Sequence, residues 1–132
     1  MGSQQNILLI LAIMIIGIAI SISYSIVTSY SIQVDKDEML NEIRAIAADA
    51  YQYKSREKEI GGGSNSYYLY NPLPEMINTT NAKYQVSTSN KSVLLSYVMI
   101  LGISKRDTAN KIYVEVNMEG ILRNFSYSGD FQ

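Results

Sequence analysis

The first 34 residues of the chain carry no charged side chain, and all 11 basic and 12 acidic residues lie beyond Val34. Residues 7–20 are apolar apart from Gly17, and residues 21–34, SISYSIVTSYSIQV, stay uncharged. A segment of this kind cannot form the surface of a water-soluble domain. It has to be covered by lipid or by other protein, and the charged remainder must supply whatever folds in water. The chain is a one-ended amphiphile, long enough for one domain and not two.

Residues 21–34 pose a choice. Ile22, Tyr24, Ile26, Tyr30, Ile32 and Val34 fall on alternate positions, with Ser on most of the others. That is the period of a half-buried strand. A lone strand in a bilayer leaves amides and carbonyls unpaired, whereas a helix closes those bonds internally. The same residues also fit a helix, because Ile15, Ile18, Ile22, Ile26 and Tyr30 form one stripe at three- and four-residue spacing. Ile7, Leu8, Leu11 and Met14 carry the apolar surface toward the start. A helix over 7–32 is roughly 40 Å long, more than the ~30 Å hydrocarbon core. Gly17, Ser21, Ser23 and Ser25 are its soft points: Gly and Ser are indifferent helix formers, and Ser hydroxyls can bond the carbonyl one turn back. If any part of the helix stretches in an assembly, the sequence places it between residues 17 and 34.

Beyond Asp35 the helical period sharpens. Met39, Ile43, Ile46, Ala50 and Tyr53 form an apolar seam, widened by Leu40, Ala47 and Tyr51. Asp37, Glu38, Glu42, Arg44, Asp49 and Lys54 take the opposite, solvent-facing side. Lys54, Arg56 and Lys58 followed by three glycines at 61–63 are C-terminal signals. One helix from about Ser3 to Glu59 follows, roughly 85 Å long at 1.5 Å per residue.

The chain therefore divides into a hydrophobic helix at 1–34, its amphipathic continuation at 35–60, a Gly/Tyr/Pro-containing loop at 61–82 and an antiparallel sheet at 83–132. In the loop Tyr67, Tyr68 and Tyr70 are read as packing residues, and residues 75–77 as one helical turn. From Tyr84 the period is two. Residues 84–88, 93–103, 112–117 and 121–127 read as three or four strands, with a polar turn at 105–110 and a tight turn at Glu119 and Gly120. Residues 93–103 are apolar on both faces, as for a strand covered on both sides. The fold class is α+β, with the 39–53 seam covering one face of the sheet.

The composition excludes several functions. A net charge of −1 without a basic face is not a nucleic-acid footprint. There is no Cys and no His, which removes thiolate chemistry, the commonest metal ligand and the usual general base. Asp35, Asp37 and Glu38 make an acidic patch read as a solvated helix start or a contact surface rather than a metal site. No catalytic constellation, metal site or cofactor site is expected. Asn78, Asn90 and Asn124 open N-glycosylation sequons, which arise often by chance in an Asn/Ser/Thr-rich chain. The helical tyrosines are read as interface packing rather than an electron path.

The order of a greasy N-terminal helix, an amphipathic continuation, a glycine break and a small antiparallel sheet resembles type IV pilins and related pilin-like subunits. The resemblance rests on Gly2 and Ser3, the apolar run 7–20, the 39–53 seam, the glycines at 61–63 and the strands after residue 83. It implies a subunit that waits in the cytoplasmic membrane and is cut after a Gly, here between Gly2 and Ser3. An assembly machinery then extracts it into a helical homopolymer whose core is the bundled helices, here Ile7, Leu8, Leu11, Met14, Ile15, Ile18, Ile22, Ile26 and Tyr30.

Two positions depart from the family pattern. Only Met1 precedes Gly2, where family leaders carry Lys or Arg. The Glu found five residues into most mature pilins is Ile7 when counted from Ser3 and Gln5 when counted from Met1. Gln4, Gln5 and Asn6 either supply neutral hydrogen bonds in its place or form a polar terminus at the membrane surface. The expected function is a major pilin of an extracellular filament at the cell surface. A minor pilin or pseudopilin of a secretion system, and a membrane-anchored binding domain that never polymerises, stay open as alternatives. Lys36 and Arg44 just beyond the span weakly favour the last, by the positive-inside rule.

Overall fold

An uncharged segment with no partner strand can satisfy its backbone only as a helix. The computed structural model, which describes residues 2–89 and 96–132, has one there. Helix α1 spans Gly2–Ser55 without interruption. A 3-10 turn follows at Lys58–Ile60, and a one-turn helix α2 at Pro74–Ile77, with Pro74 at its first position. Four strands complete the chain: β1 at Ala82–Ser89, β2 at Tyr97–Ser104, β3 at Lys111–Val116 and β4 at Leu122–Ser128. A 3-10 turn at Gly129–Phe131 ends it. The chain separates into two compact units, Met1–Val34 and Asp35–Gln132.

The second unit is a four-stranded antiparallel sheet of order β1-β2-β3-β4, covered on one face by residues 35–55 of α1. Its core is Met39, Ile43, Ile46, Ala47 and Ala50 from the helix, with Tyr84, Val98, Ile100, Ile112, Val114 and Val116 from the strands. The helix-to-sheet seam read from the sequence is therefore present for Met39, Ile43, Ile46 and Ala50. Gly102, in the middle of β2, is where the layers meet most closely. A Cβ there would lie 2.8 Å from the Tyr84 ring and 3.0 Å from the Met39 methyl.

The end of the helix and the covering of β2 differ from the sequence reading. The helix stops at Ser55 rather than near Glu59, because the glycine loop takes its last carbonyls. Gly63 N–H donates to the Tyr53 carbonyl at 2.8 Å, Asn65 N–H to that of Lys54 at 2.8 Å and Ser64 N–H to that of Arg56 at 2.9 Å. Gly63 itself has no room for a side chain, since a Cβ would lie 1.8 Å from the Ser66 carbonyl oxygen. β2 is not covered on both sides: Val98, Ile100, Gly102 and Ser104 are buried, while Tyr97, Met99, Leu101 and Ile103 stay half-exposed. Residues 93–95 of the strand expected at 93–103 lie outside the described residues. The turn at Asn117, Glu119 and Gly120 is present. Gly120 adopts φ +78, its N–H bonds the Asn117 carbonyl at 3.0 Å, and the Asn117 carboxamide accepts the N–H groups of Glu119 and Ile121.

Candidate functional site

The candidate site of the first unit is its surface. Every large apolar side chain from Ile7 to Tyr30 is exposed, from 50% at Leu11 to 76% at Tyr24. Ile7, Leu8, Leu11, Met14, Ile15, Ile18, Ile22, Ile26 and Tyr30 all belong to this set. The exposure runs around the whole helix rather than along one stripe, the pattern of a helix that is covered on every side in its working environment. By length and composition α1 can cross a membrane.

Three hydroxyls of this unit bond their own helix. Ser21 Oγ donates to the Gly17 carbonyl at 2.9 Å, Ser23 Oγ to that of Ala19 at 2.8 Å and Thr28 Oγ1 to that of Tyr24 at 2.9 Å. The soft points Gly17, Ser21, Ser23 and Ser25 are all helical in the isolated subunit. Ala19 and Ser23 floor a shallow groove walled by Ile16, Ile20, Tyr24 and Val27. Gly2, Ser3, Gln4, Gln5 and Asn6 form the exposed first turns of α1.

In the second unit the charged residues of α1 divide: Asp37 and Arg44 are exposed as expected, while Asp35 and Lys54 are buried and Glu38, Glu42 and Asp49 half-buried. Asp35 is 3% exposed, a contact residue rather than a solvated one, while Asp37 alone of the three acids is exposed. Ser104 Oγ donates to Asp35 Oδ2 at 2.7 Å, and Arg106 Nε lies 3.9 Å from Asp35 Oδ1. Glu42 accepts three donors from the start of β1 and the turn before it: the Tyr84 hydroxyl at 2.6 Å, Thr79 Oγ1 at 2.8 Å and Asn81 Nδ2 at 3.0 Å. Burial, and then the Glu42 carboxylate, raise the Tyr84 phenol far above its ordinary value. Asp49 accepts the Tyr70 hydroxyl at 2.8 Å, and burial followed by that bond raises Tyr70 in the same way.

Lys54, expected on the solvent face, is buried; its ammonium donates to the Met118 carbonyl in the β3–β4 turn. It lies 5.5 Å from the Tyr51 ring centroid and 5.8 Å from that of Tyr67, within cation–π range. Tyr53, expected in the helix-to-sheet seam, packs instead on the loop. Its ring meets Tyr70 at 5.5 Å and its hydroxyl donates to the Tyr68 carbonyl at 2.8 Å. The turn of helix past Ala50 has swung the seam toward residues 63–70. Tyr67 and Tyr70 are buried as expected, but Tyr68 is exposed.

Asp35, Glu42 and Lys54 were missed because hydrophobic periodicity assigns every charge to water. The signal that would have found them is the wealth of Ser, Thr, Asn and Tyr donors in the strands and loop. Lys36 closes the other end of the unit: its ammonium donates to the Phe131 carbonyl at 2.9 Å and sits 4.1 Å over the Tyr127 ring.

Of the sequon asparagines, Asn78 is exposed just after α2, and Asn124 is exposed on β4, donating its side-chain N–H to Glu115 at 2.6 Å. Asn90 lies outside the described residues. A cleft of about 440 Å³ beside the glycine loop is walled by Tyr53, Lys58, Ser66, Tyr68 and Leu69, with no carboxylate among its lining residues. No group of three His, Cys, Asp or Glu side chains gathers among the described residues. Compared with protein-family models, curated proteins and solved structures, the chain matches none.

Proposed function

We propose that the chain is the structural subunit of a type IV pilus-like extracellular filament, held in the cytoplasmic membrane before assembly and polymerising through residues 7–30. The observation that carries the reading is the all-round exposure of sixteen large apolar side chains between Ile7 and Tyr30 on one helix, joined to a sheet unit with its own core. A bilayer can cover such a helix, and so can other copies of it. Because lipid is as apolar as leucine, the transfer from one to the other has little hydrophobic drive. The filament is then held by close packing repeated over many copies, and extraction needs an assembly machine.

The reading of a membrane-anchored domain that never polymerises rested on Lys36 and Arg44 as inside-facing flanks. Lys36 is bound within the sheet unit by Phe131 and Tyr127, so its weight as a flanking charge is small. The test is to shear the surface of expressing cells and examine the released material by electron microscopy and mass spectrometry. Abundant fibres made of this chain, with residues 7–30 in the core of their reconstruction, are expected. Fibres that lack the chain, or a chain that stays wholly in the membrane fraction, would overturn the reading. Short, rare fibres would move it to a pseudopilin.

A further inference from the structure

The face of the sheet turned away from α1 has three successive rows that cross β1, β2 and β3, with Ser89 and Tyr97 beyond them. Register places Lys83, Ile103 and Lys111 side by side across β1, β2 and β3, then Gln85, Leu101 and Tyr113, then Ser87, Met99 and Glu115. The central column of Ile103, Leu101 and Met99 is half-exposed among the described residues, and so is Tyr113. An apolar column framed by polar neighbours is the anatomy of a contact surface rather than of a solvated sheet face.

The charges on this face are few: Lys83 and Lys111 stand at one end, and Glu115 with Arg123 beside it at the other. Two lysines stand in the first row and one carboxylate in the third, about 13 Å away at 3.3 Å per residue. Glu115 is fixed in place: the Tyr113 hydroxyl donates to one of its oxygens at 2.8 Å and the Asn124 amide to the other at 2.6 Å. Arg123 lies opposite Glu115 on the edge strand β4.

We infer that this face takes the same face of a second copy, turned about a two-fold axis lying along the Leu101–Tyr113 row. That axis exchanges the first and third rows and keeps each strand over its own counterpart. Leu101 then meets Leu101, Met99 meets Ile103, and Lys111 meets Glu115 in both directions. Lys83 falls over Ser87 and Arg123 over Ser128, so no like charges face each other. The other in-plane axis, along the strands between β2 and β3, keeps the rows and exchanges those columns. It would set Lys111 on Ile103 and Glu115 on Met99, leaving each charge against an apolar side chain. The charge pattern therefore selects the first axis.

Three rows across four strands offer roughly a third of the ~800 Å² per partner that a stable pair buries. One pair is weak, and many in register are not. Neighbours inside a helical polymer all point the same way and share no two-fold axis. The contact therefore belongs between filaments, joining them side by side. That placement rests on the filament reading; the contact between two copies does not.

The chain has no cysteine, so single introduced thiols report the register cleanly. In the full-length chain, in membranes or filaments under mild oxidation, L101C is expected to give disulfide-linked dimers. M99C and I103C are each expected to give few alone and many when mixed. K111E or E115K should lower the L101C dimer several-fold, and K111E with E115K should restore it. Y113C, on the same axis row, replaces L101C if that variant fails to fold by circular dichroism. The proposal is overturned if neither axis-row thiol links, if M99C alone links as well as L101C, or if the double charge reversal stays as low as the single ones. Fibres without these dimers refute this contact alone; dimers without fibres refute the filament reading alone.

Discussion

The Tyr84 hydroxyl donates to Glu42 at 2.6 Å, tying the first inward-facing tyrosine of β1 to the middle of the amphipathic helix. Thr79 and Asn81 complete the same carboxylate, so one side chain fixes the helix to the strand and to the turn that precedes it. Replacing Glu42 by Ala strands a buried phenol and is expected to cost about 2–3 kcal/mol; Tyr84→Phe, which leaves Glu42 two donors, is expected to cost about 1–2 kcal/mol. A double-mutant cycle in urea should give a coupling of about 1 kcal/mol or more. Additive losses would show that the pair does not act as a unit.

Gly102 sits where Tyr84 and Met39 close over the sheet. Tyr84 is held by Glu42 and cannot retreat, so Gly102→Ala is expected to destabilise by about 1–3 kcal/mol through overpacking. Pairing it with Met39→Ala should recover part of the loss. A neutral G102A would mean that the layers are looser than the structure has them.

Lys54 is a buried cation that donates to the Met118 carbonyl. Lys54→Met keeps the apolar stem and removes the charge, at an expected cost of about 1–1.5 kcal/mol for the orphaned carbonyl. Lys54→Ala also leaves a void and is expected to cost about 2–4 kcal/mol. Equal losses in thermal unfolding would place the value of Lys54 in its charge rather than its stem.

Burial, and then the charge of Tyr51, push the Tyr67 phenol up to about 12 from 10.0. Burial and the bond to Glu115 push Tyr113 to about 12 as well. A raised phenol means that the fold favours the neutral form. The stability it contributes is whole below pH 10 and lost as pH rises through about 12. The slope is about 1.4 kcal/mol per pH unit for the buried Tyr67 phenol. Ultraviolet titration should therefore show Tyr67, Tyr70 and Tyr84 still protonated at pH 10.5, titrating only as the sheet unit unfolds. Reversible ionisation of all eleven tyrosines near pH 10 would contradict this.

In the isolated subunit α1 is helical throughout. In filaments, amide exchange in the apolar half is expected to be fastest between residues 17 and 34, where Gly17 and the serines concentrate. Uniform protection from residue 7 to residue 34 would refute it.

Periodicity was enough to read the α+β class, the Met39, Ile43, Ile46 and Ala50 seam, a sheet of three or four strands and the Gly120 turn, since each is a local pattern of apolar spacing or turn chemistry. It was not enough for Asp35, Glu42 and Lys54. Their partners, Ser104, Tyr84 and the Met118 carbonyl, lie 69, 42 and 64 residues away, and spacing along a helix carries no information about what will approach it. Tyr53 was misplaced for a related reason. The covering layer changes from sheet to glycine loop at the end of α1, and an apolar stripe does not say which layer covers it.

The hydroxyls of Ser21, Ser23 and Thr28 each bond a carbonyl of their own helix. These polar atoms thus carry their partners with them. Passage from an oily phase into a protein interior makes and breaks none of their hydrogen bonds, so their desolvation raises no toll at the crossing. These three side chains therefore favour neither phase, and the direction in which the helix moves is left to whatever does work on the rest of the chain.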